Sequence, residues 1–372
     1  MRQNYPFSAL VGQEELFLGL LLNVINPELG GLLIKGVKGS GKSTAVQGLS
    51  DIIPDIKVFK DCEFNCNPAR EEEWCDRCKV KYSGEEKRII EHSVKTVTVP
   101  LSITEDRLLG TIDIERLLQK GEKHFIPGIL SLAHRQILYI DEVNLLPDHI
   151  VDDILDVSAM GWNRVEREGF SVQHPAKFLL IGTMNPEEGE LRPQILDRFP
   201  LSVDLKSVED SRLRKEIIQR NLAFEHDAEG FIAGFKTETE GLRNQVAAAR
   251  AILDKVRVDP VYYDLVVKLG SEFKLDGHRA DIVIIKTARA QAALEMRSEV
   301  EYRHIRQAAH LALGHRTREG GLSKPLTKAE IDDFFDQHKD WQDKSPERSE
   351  SNEVDKNIRL FTDSGLVQYE KK

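Results

Sequence analysis

Residues 32–43 read LLIKGVKGSGKS, a short apolar run followed by a glycine-rich loop that ends in Lys42 and Ser43. The loop fits the pattern G-x-x-x-x-G-K-S, and helix-like sequence follows it. In this pattern the glycines let backbone N–H groups converge on phosphate oxygens, and the positive end of the next helix points at the same anion. A glycine-rich turn that merely precedes a lysine is the plain alternative, but strand, loop and helix stand in the required order. The sequence therefore predicts a nucleoside-triphosphate site.

The loop residues have distinct expected tasks. Lys42 should reach the β- and γ-phosphates, and the hydroxyl of Ser43 should ligate Mg²⁺, so ATP and Mg²⁺ are the expected cofactors. The predicted nucleotide contacts of the loop are Gly36, Gly39, Ser40, Gly41, Lys42, Ser43 and Thr44.

Two later apolar runs also end in polar residues: residues 137–140 precede Asp141 and Glu142, and residues 178–183 lead to Asn185. The carboxyl ends of parallel strands normally carry the ligand site of an open α/β sheet. We expect Asp141 to hold Mg²⁺ through water, Glu142 to polarise the attacking water, and Asn185 to contact the γ-phosphate or that water. Alone, the acidic pair would be a solvated strand end and Asn-Pro a turn, so these assignments depend on the phosphate loop.

Composition restricts the function classes. The chain has 372 residues, 40% of them apolar and 31% charged, with a formal net charge of −10. This acidic balance argues against a protein whose main work is to bind nucleic-acid phosphates. No apolar run approaches the roughly 20 residues of a membrane span, and the first six residues carry no signal-peptide segment, so we expect a cytosolic protein without a membrane partner.

The pattern of apolar runs predicts the domain organisation. Short apolar runs alternate with helix-like stretches over the first two hundred residues, which indicates an α/β fold with a parallel sheet. Helical periodicity dominates afterwards, and a charge-rich tail that buries little follows it. We predict a nucleotide-binding core at 1–206, a linker helix at 207–235, an α-helical domain at 236–335 and a mobile tail at 336–372.

The phosphate loop, the acidic strand end, the polar-tipped neighbouring strand and the helical domain together resemble an AAA+ ATPase. Four further stretches resemble the small ATPase subunit of magnesium chelatase: YPFSALVGQE at 5–14, TEDRLLGTIDIE at 104–115, GWNRVEREG at 161–169 and NPEEGELRPQILDRF at 185–199. The resemblance covers residues 5 to about 315. It implies an AAA+ parallel sheet with helices on both faces and a β-hairpin insertion, followed by an α-helical C-terminal domain.

The resemblance implies a motor that forms a homo-oligomeric ring, taken as a hexamer, and spends ATP to help a large tetrapyrrole-binding subunit insert Mg²⁺ into protoporphyrin. A middle subunit with a related ATPase-like domain and an integrin-type domain stands between them. Two alternatives stay open. One is an ATPase that remodels an integrin-type-domain partner for cobalt insertion or metalloenzyme maturation. The other is a DNA-remodelling ATPase, against which the acidic balance and the lack of a basic, aromatic-interleaved stripe argue.

Two arginines acquire roles through this resemblance. Arg198 aligns with the arginine finger, whose guanidinium stabilises the γ-phosphate of a neighbouring subunit; its alternative is a salt bridge to Asp197 or Asp204. Arg279 resembles the second sensor arginine, carried by the helical domain and contacting nucleotide across the interdomain cleft. Its alternative is an exposed arginine in a first helical turn, where the helix dipole disfavours it.

Three further segments match the family. Val11 and Gly12 correspond to the lining of the adenine pocket, with a plain turn as the alternative. Residues 162–174 read as a β-hairpin with its turn at 168–169, and residues 104–127 provide room for the insertion typical of the family. The resemblance implies that these elements face the ring's centre or partners, and a surface hairpin without such a task is equally open.

All four cysteines lie within seventeen positions, at Cys62, Cys66, Cys75 and Cys78. Four thiolates at such spacings can surround one tetrahedral ion, and structural Zn²⁺ is the expected occupant, with an iron–sulfur cluster or redox-active thiols as alternatives. Disulfides are disfavoured in the cytosol. Such a closed site should stabilise a loop rather than deliver Mg²⁺, which prefers oxygen ligands. The cluster departs from the pattern of the best-known family members, which leaves the exact substrate open.

Overall fold

The computed structural model of the protein describes residues 3–82, 87–113, 124–167, 170–318 and 323–341, together with the single positions 116 and 119. Its centre is a sheet of five parallel strands in the order β11-β1-β10-β7-β4. These strands are β1 (Leu32–Gly36), β4 (Thr96–Val99), β7 (Ile137–Ile140), β10 (Leu179–Met184) and β11 (Leu201–Leu205). The predicted parallel α/β fold is confirmed.

Six shorter strands form three antiparallel pairs. They are β2 (Ile56–Phe59) with β3 (Ile89–His92), β5 (Gly110–Ile112) with β6 (Phe125–Pro127), and β8 (Trp162–Arg167) with β9 (Phe170–Pro175). The β8–β9 pair is the predicted hairpin, and its turn at 168–169 lies outside the described residues. The insertion predicted at 104–127 contains the β5–β6 pair, with residues 114, 115, 117, 118 and 120–123 outside the described residues.

The helices divide into those around the sheet and those of the C-terminal half. Around the sheet lie α1 (Glu14–Ile25), α2 (Lys42–Gly48), α3 (Asp76–Lys81), α4 (Glu105–Leu109), α5 (Ile129–Leu132), α6 (Asp148–Met160) and α7 (Pro193–Leu196). The C-terminal half contains α8 (Ser211–His226), α9 (Ala228–Gly234), α10 (Lys236–Ile252), α11 (Pro260–Glu272), α12 (Arg279–Leu294), α13 (Tyr302–Leu313) and α14 (Lys328–Gln337). Short 3₁₀ turns occur at Phe7–Ala9, Pro27–Leu29, Leu49–Ile52, Glu71–Glu73, Val143–Leu145, Pro186–Glu188, Leu253–Lys255 and Lys339–Trp341.

Both faces of the sheet are buried, which explains why its strands read as continuous apolar runs. Successive side chains of a strand point to opposite faces, so Leu32 and Ile34 of β1 join one core while Leu33 joins the other. The first core continues from α1 and α2 into the helices of the C-terminal half, and the second lies between the sheet and α6. The C-terminal helices are therefore fastened to one face of the sheet.

The C-terminal half is helical, as predicted: its described residues, 207–318 and 323–341, contain only isolated β-bridges besides helices and turns. Helix α12 packs against α1 and the Pro27–Leu29 turn, while α13 packs against the edge strand β11. In the part of the chain that the structure describes, no helix has the length and apolar character needed to cross a bilayer.

The predicted start of the tail needs a correction. Helix α14 continues to Gln337, and Trp341 packs against the main core, so the ordered chain runs past residue 335. Aromatic side chains at the helix end, which the charge-rich composition concealed, provide this anchor. Residues 342–372 of the predicted tail lie outside the described residues.

Candidate nucleotide and metal sites

A cleft of about 800 Å³ opens at the carboxyl ends of β1, β7 and β10. Its floor consists of the loop residues 37–44, and Asp141, Glu142 and Asn185 line its polar side. Gly36 is the one predicted loop contact that does not line the cleft; a Cβ there would lie 2.9 Å from Leu205 Cβ, so its role is close strand packing. The structure thus brings the three predicted motifs to one site.

The loop is shaped by two glycines in left-handed conformation, Gly39 at φ 80° and Gly41 at φ 83°. Gly41 stands directly before α2, so the helix begins at Lys42 with its N–H groups facing the loop. Lys42 Nζ donates to the carbonyls of Gly36 and Val37 at 2.6 and 2.9 Å. Burial lowers the pKa of Lys42, and the nearby carboxylates of Asp141 and Glu142 oppose that shift. The loop therefore surrounds a cationic centre as a phosphate site requires.

Two hydroxyls connect the residues predicted to hold Mg²⁺. The hydroxyl of Tyr139 lies 2.7 Å from Asp141 Oδ1 and 3.0 Å from Ser43 Oγ, and Thr183 Oγ1 donates to the same Asp141 oxygen at 2.8 Å. Burial raises the pKa of Tyr139, so it remains a neutral hydrogen-bonding group. Glu142 N donates to Thr183 Oγ1 at 3.1 Å. These contacts fix the acidic pair relative to the phosphate loop.

Sequence reasoning missed Tyr139 and Thr183 because both lie inside apolar strands and read as core. Tyr139 precedes Asp141 by two positions, so the alternation of strand side chains was a usable signal. Thr183 follows Gly182, which pairs with Ile140 in the β10–β7 register, and this register brings Thr183 beside Asp141. Strand order and register are tertiary information that the motif itself does not carry.

Glu142 and Asn185 each follow a central strand and line the cleft at its end. Glu142 adopts a left-handed conformation at φ 56°, uncommon for a residue with a side chain, which turns the chain sharply after β7. Asn185 is 4% exposed, and its Oδ1 accepts from Glu187 N at 3.2 Å. Its side chain therefore stabilises the Asn-Pro turn, and the residue also lines the cleft.

The rest of the lining contains most of the apolar side chains of the cleft, beside a few polar ones, and suits a base. Val11 lies there, whereas Gly12 does not line the cleft but turns the chain at φ 73°, so that Val11 and Gln13 both face it. Gln13 Nε2 donates to the carbonyl of Ser40 in the loop. Other lining residues from this side are Tyr5, Leu10, Val208, Arg214, Ile217, Ile218 and Asn221.

Helix α8, which the sequence predicted only as a linker, supplies four of these residues. The apolar residues of α8 do not form one buried face, since Ile218 and Leu222 remain largely exposed. The helix also contains no motif that predicts a nucleotide contact. Contacts of α8 with the N-terminal segment hold it at the cleft: Arg220 Nη1 donates to the carbonyl of Ala9 at 2.8 Å, and Phe224 packs edge-on against Tyr5.

Arg198 and Arg279 do not line this cleft. They lie together in a second cavity of about 220 Å³, whose walls come from α6, α12 and the Pro27–Leu29 turn. Arg279 lines this second cavity and is not among the residues that line the nucleotide cleft. The expected contact of Arg279 across the interdomain cleft is therefore not made within one chain.

The partners of Arg198 differ from those considered from sequence. Arg198 Nη1 donates to Asp152 Oδ1 at 2.6 Å, and its other terminal nitrogen pairs with Asp156 on the same face of α6. Asp204 instead pairs with Lys35 at 2.9 Å, and Asp197 accepts from Thr317. Sequence proximity was misleading because the α7–β11 turn directs Arg198 towards α6.

The four cysteines converge as predicted. All four Sγ atoms lie within 4.8 Å of one another, and each cysteine is a free thiol. Tetrahedral Zn²⁺ with Zn–S bonds of about 2.3 Å places sulfurs about 3.8 Å apart, close to the 4.0 Å between Cys62 and Cys75. Backbone N–H groups donate to Cys66 Sγ at 3.2 Å and to Cys62 Sγ at 3.4 Å. Hydrogen bonds, foremost from Cys66, lower the pKa of the Cys62 thiol. The donor set fits a thiolate-bound metal.

The cysteine module, residues 59–82, has little other core. Its hydrophobic cluster has six buried residues: three are cysteines, and the others are Phe59, Trp74 and Tyr82. The module is attached to the main domain by an ion pair between Glu73 and Lys177 at 2.9 Å and by the stacking of Phe64 on His174 at 4.9 Å. His174 belongs to β9, so the module rests on the base of the β8–β9 hairpin.

Comparison with known families agrees with this architecture. The AAA domain (dynein-related subfamily) matches residues 79–199, and the AAA lid domain matches residues 264–334. The chain is 45% identical to the magnesium-chelatase subunit ChlI homolog of Methanocaldococcus jannaschii, over 92% of this chain and 94% of that protein. It is 43% identical to the magnesium-chelatase subunit ChlI of Synechocystis, over 89% and 93% of the two chains.

Solved structures agree as well. A chain in the complex between subunits BchI and BchD of magnesium chelatase, based on cryo-EM, has a TM-score of 0.51 at 40% identity and covers 90% of this chain and 100% of its own. A putative ATPase from Cytophaga hutchinsonii has a TM-score of 0.53 at 18% identity, covers 87% of this chain and 86% of its own, and shows the fold alone. The similarity to the magnesium-chelatase subunits extends over about nine-tenths of the chain. This chain therefore belongs to the family of the magnesium-chelatase subunit ChlI and is an AAA+ ATPase.

Proposed function

We propose that this chain is the ATP-hydrolysing motor of a magnesium-chelatase-type complex, and that each of its active sites is shared between two neighbouring copies. The observation that carries the proposal is the separation of the two cavities. Lys42 and Glu142 line one cavity, while Arg198 and Arg279 line another. One chain thus presents half of a phosphoryl-transfer site on each of two surfaces, as a ring with head-to-tail contacts needs.

The first half-site binds Mg²⁺-ATP and activates the attacking water. Lys42 neutralises the phosphates, and the oxygens of Ser43 and Asp141 hold the Mg²⁺ that arrives with ATP, a donor set that this ion prefers. Tyr139 and Thr183 keep the Asp141 carboxylate in place. Glu142 accepts a hydrogen bond from the water that attacks the γ-phosphorus, and the bond from that phosphorus to the bridging oxygen breaks. Asn185 orients the same water.

The second half-site completes the charge around the γ-phosphate. Burial and the neighbouring Arg198 lower the pKa of Arg279, so an anion beside Arg279 would stabilise its charged form, whereas Arg198 already pairs with Asp152 and Asp156. A γ-phosphate bound to the adjacent subunit supplies that anion, and Asp152 and Asp156 hold Arg198 until it does. We propose a hexameric ring in which both arginines act in trans.

The partners follow from the relatives. The complex of BchI with BchD supports a second subunit docked on the ring, for which we propose an integrin-type domain. Insertion of Mg²⁺ into a tetrapyrrole then takes place on a separate large subunit in the cytosol. The remodelling alternative, with an integrin-type partner alone, predicts a different set of associated chains, and a pull-down from the native source distinguishes the two by the presence of a large tetrapyrrole-binding chain.

We further propose that the cysteines hold one structural Zn²⁺. Cys62, Cys66, Cys75 and Cys78 would fill all four tetrahedral positions, which leaves none for a substrate, so the metal serves to fold the module. An iron–sulfur cluster is the alternative for the same ligands, and visible absorption identifies it. Metal analysis of the purified chain should give one zinc per chain; less than half an equivalent of zinc or iron contradicts the proposal.

Complementation tests the shared active site. Arg198→Ala should abolish hydrolysis in pure rings because it removes the trans arginine, and Glu142→Gln should do so because it removes the base. Mixed rings should regain activity, since a Glu142→Gln chain still offers Arg198 to the intact cleft of an Arg198→Ala neighbour. A mixture that stays as inactive as its two components argues against catalysis in trans.

A further inference from the structure

The turn that carries Arg198 is held by a segment of the lid. Arg316, which follows α13, sends its guanidinium into this turn: Nη1 donates to the carbonyl of Asp197 at 2.7 Å, and Nη2 lies 3.3 Å from the carbonyl of Phe199 and 3.5 Å from that of Pro200. Its Nε donates back to Ala312 at 2.9 Å, within its own helix end. One side chain therefore links α13 to the backbone on both sides of Arg198.

The two neighbours of Arg316 bind the same turn. His315 Nε2 lies 2.8 Å from the carbonyl of Phe199, and burial lowers the pKa of His315 to about 3, so it is a neutral donor at physiological pH. Thr317 contacts both oxygens of the Asp197 side chain, its N–H at 3.1 Å and its hydroxyl at 3.1 Å. Three successive lid residues thus grip the residues before and after Arg198, while none of them contacts Arg198 itself.

The burial of a charged side chain costs free energy, which indicates that Arg316 has a specific task. Arg316 is only 6% exposed, and burial lowers the pKa of its guanidinium to about 10, so a full charge is kept inside the protein at neutral pH. Apolar side chains would fill such a space at lower cost, and buried charges of this kind are best explained where they fix one particular geometry. A guanidinium is suited to that task, because its rigid fork of donors can reach several carbonyls at once.

We propose that Arg316 is a positioning residue that locks the Arg198 turn to the lid, so that Arg198 and the lid residue Arg279 are presented to the neighbouring subunit as one rigid unit. This inference rests on the trans role of Arg198 proposed above. Arg316 does not line the nucleotide cleft of its own chain. Its loss should therefore impair the neighbour's active site and leave the chain's own cleft able to bind and hydrolyse ATP.

The test uses full-length Arg316→Met, which keeps an unbranched side chain but removes the donors. Pure Arg316→Met rings should bind ATP like the wild type and hydrolyse it at least about 100-fold more slowly, the order expected for misplacing a catalytic group. Mixed with an equal amount of Glu142→Gln chains, which present a properly held Arg198, about a quarter of all sites in a randomly assembled ring become competent. Activity should then rise towards that fraction of the wild-type rate.

Three controls make the outcome decisive. Mixing Arg316→Met with Arg198→Ala should give no recovery, because neither chain offers a working trans arginine. Arg250→Met removes another arginine, partly buried, which donates to the carbonyl of Val24, and should lower the melting temperature without a defect that mixing repairs. Arg316→Lys, which restores charge without the fork, provides a milder variant should Arg316→Met fail to fold.

The results separate this inference from the proposed function. Recovery with both Arg198→Ala and Arg316→Met supports both. Recovery with Arg198→Ala but none with the Arg316 variants, or Arg316 variants that hydrolyse ATP at the wild-type rate in pure rings, overturns the positioning role alone. Failure of Arg198→Ala to be complemented overturns the shared site itself, whatever the Arg316 variants do.

Discussion

The hydroxyl of Tyr139 lies 2.7 Å from Asp141 Oδ1, inside the strand that leads to the acidic pair. The same hydroxyl is 3.0 Å from Ser43 Oγ at the start of α2. It therefore connects the two residues proposed to hold Mg²⁺, which are almost a hundred positions apart in the sequence. A carboxylate that also accepts from Thr183 has little freedom left to rotate. The proposed metal ligands Ser43 and Asp141 are therefore held in place before the nucleotide arrives, which would lower the entropy lost when Mg²⁺-ATP binds.

Tyr139→Phe should weaken the use of Mg²⁺-ATP. The ring still fills its place in the core, but Asp141 and Ser43 lose their common partner, and such outer contacts typically contribute about 10- to 100-fold in metal affinity. We expect the Mg²⁺ concentration for half-maximal hydrolysis to rise by about tenfold or more. Tyr302→Phe, which removes a buried hydroxyl bonded to Phe335 in the lid, is the matched control and should leave the Mg²⁺ dependence unchanged.

Glu142→Gln should separate binding from turnover. The amide keeps the shape of the side chain and the left-handed turn, whereas it cannot accept a proton from the attacking water, so hydrolysis should fall by about 10²- to 10⁴-fold. Binding of a fluorescent ATP analogue should stay within about threefold of the wild type. Glu188→Gln removes another carboxylate whose charge acts on Lys42 and controls for the loss of charge alone. Unchanged hydrolysis by Glu142→Gln would remove the assigned role.

The sequence sufficed for those parts of the site that lie within one contiguous motif. The loop at Lys42 and the acidic strand end at Asp141 need only a strand, a turn and a helix in order, and the parallel sheet follows from the apolar runs. The cysteine cluster is equally local, since its four residues lie within one short segment. These features were predictable because local spacing alone decides them.

The rest required the relative placement of distant elements. Helix α8 at the base side of the cleft depends on how the chain returns after β11, and the pairing of Arg198 with Asp152 depends on the position of α6. The placement of Arg279 in the second cavity depends on how the lid packs against the sheet, which the family resemblance does not specify. Local spacing in one sequence does not show which residues of the folded chain face a neighbouring copy.

The lid contains a carboxylate whose ionisation contributes to stability. Burial alone would raise the pKa of Glu295, but hydrogen bonds from His304 and Arg303 outweigh it and lower the pKa to about 2. A carboxyl with a depressed pKa stabilises the fold above its unfolded pKa, about 4.5, and this contribution is lost as the pH falls towards 2. After discounting for its partial exposure, we expect about 2 kcal/mol at neutral pH.

Glu295→Gln should therefore lower the free energy of unfolding by about 2 kcal/mol at pH 7, and the difference from the wild type should shrink as the pH falls below about 4.5. Urea unfolding at several pH values measures it. Glu299→Gln provides the control, because Glu299 is exposed and pairs with Arg257 at the surface, where an ion pair contributes at most about 1 kcal/mol. A Glu295→Gln difference that stays constant down to pH 3 contradicts this assignment.

The cysteine module should depend on its metal for folding. Cys66, Cys75 and Cys78 make up half of the six buried residues in its hydrophobic cluster, and without a metal four thiol groups must share one small space. Cys75→Ser should lower the zinc content to below about a tenth of the wild type, because a closed tetrahedral site tolerates poorly the loss of one thiolate. Limited proteolysis should then cut within residues 59–82, whereas ATP binding should persist, since none of these residues lines the nucleotide cleft.

Asp76→Asn, an exposed neighbour of Cys75, should keep both the zinc and the resistance to proteolysis. Full zinc content in Cys75→Ser, or equal resistance to protease with and without a strong chelator, argues that the thiols are not bound to a metal and that Phe59, Trp74 and Tyr82 suffice to fold the module.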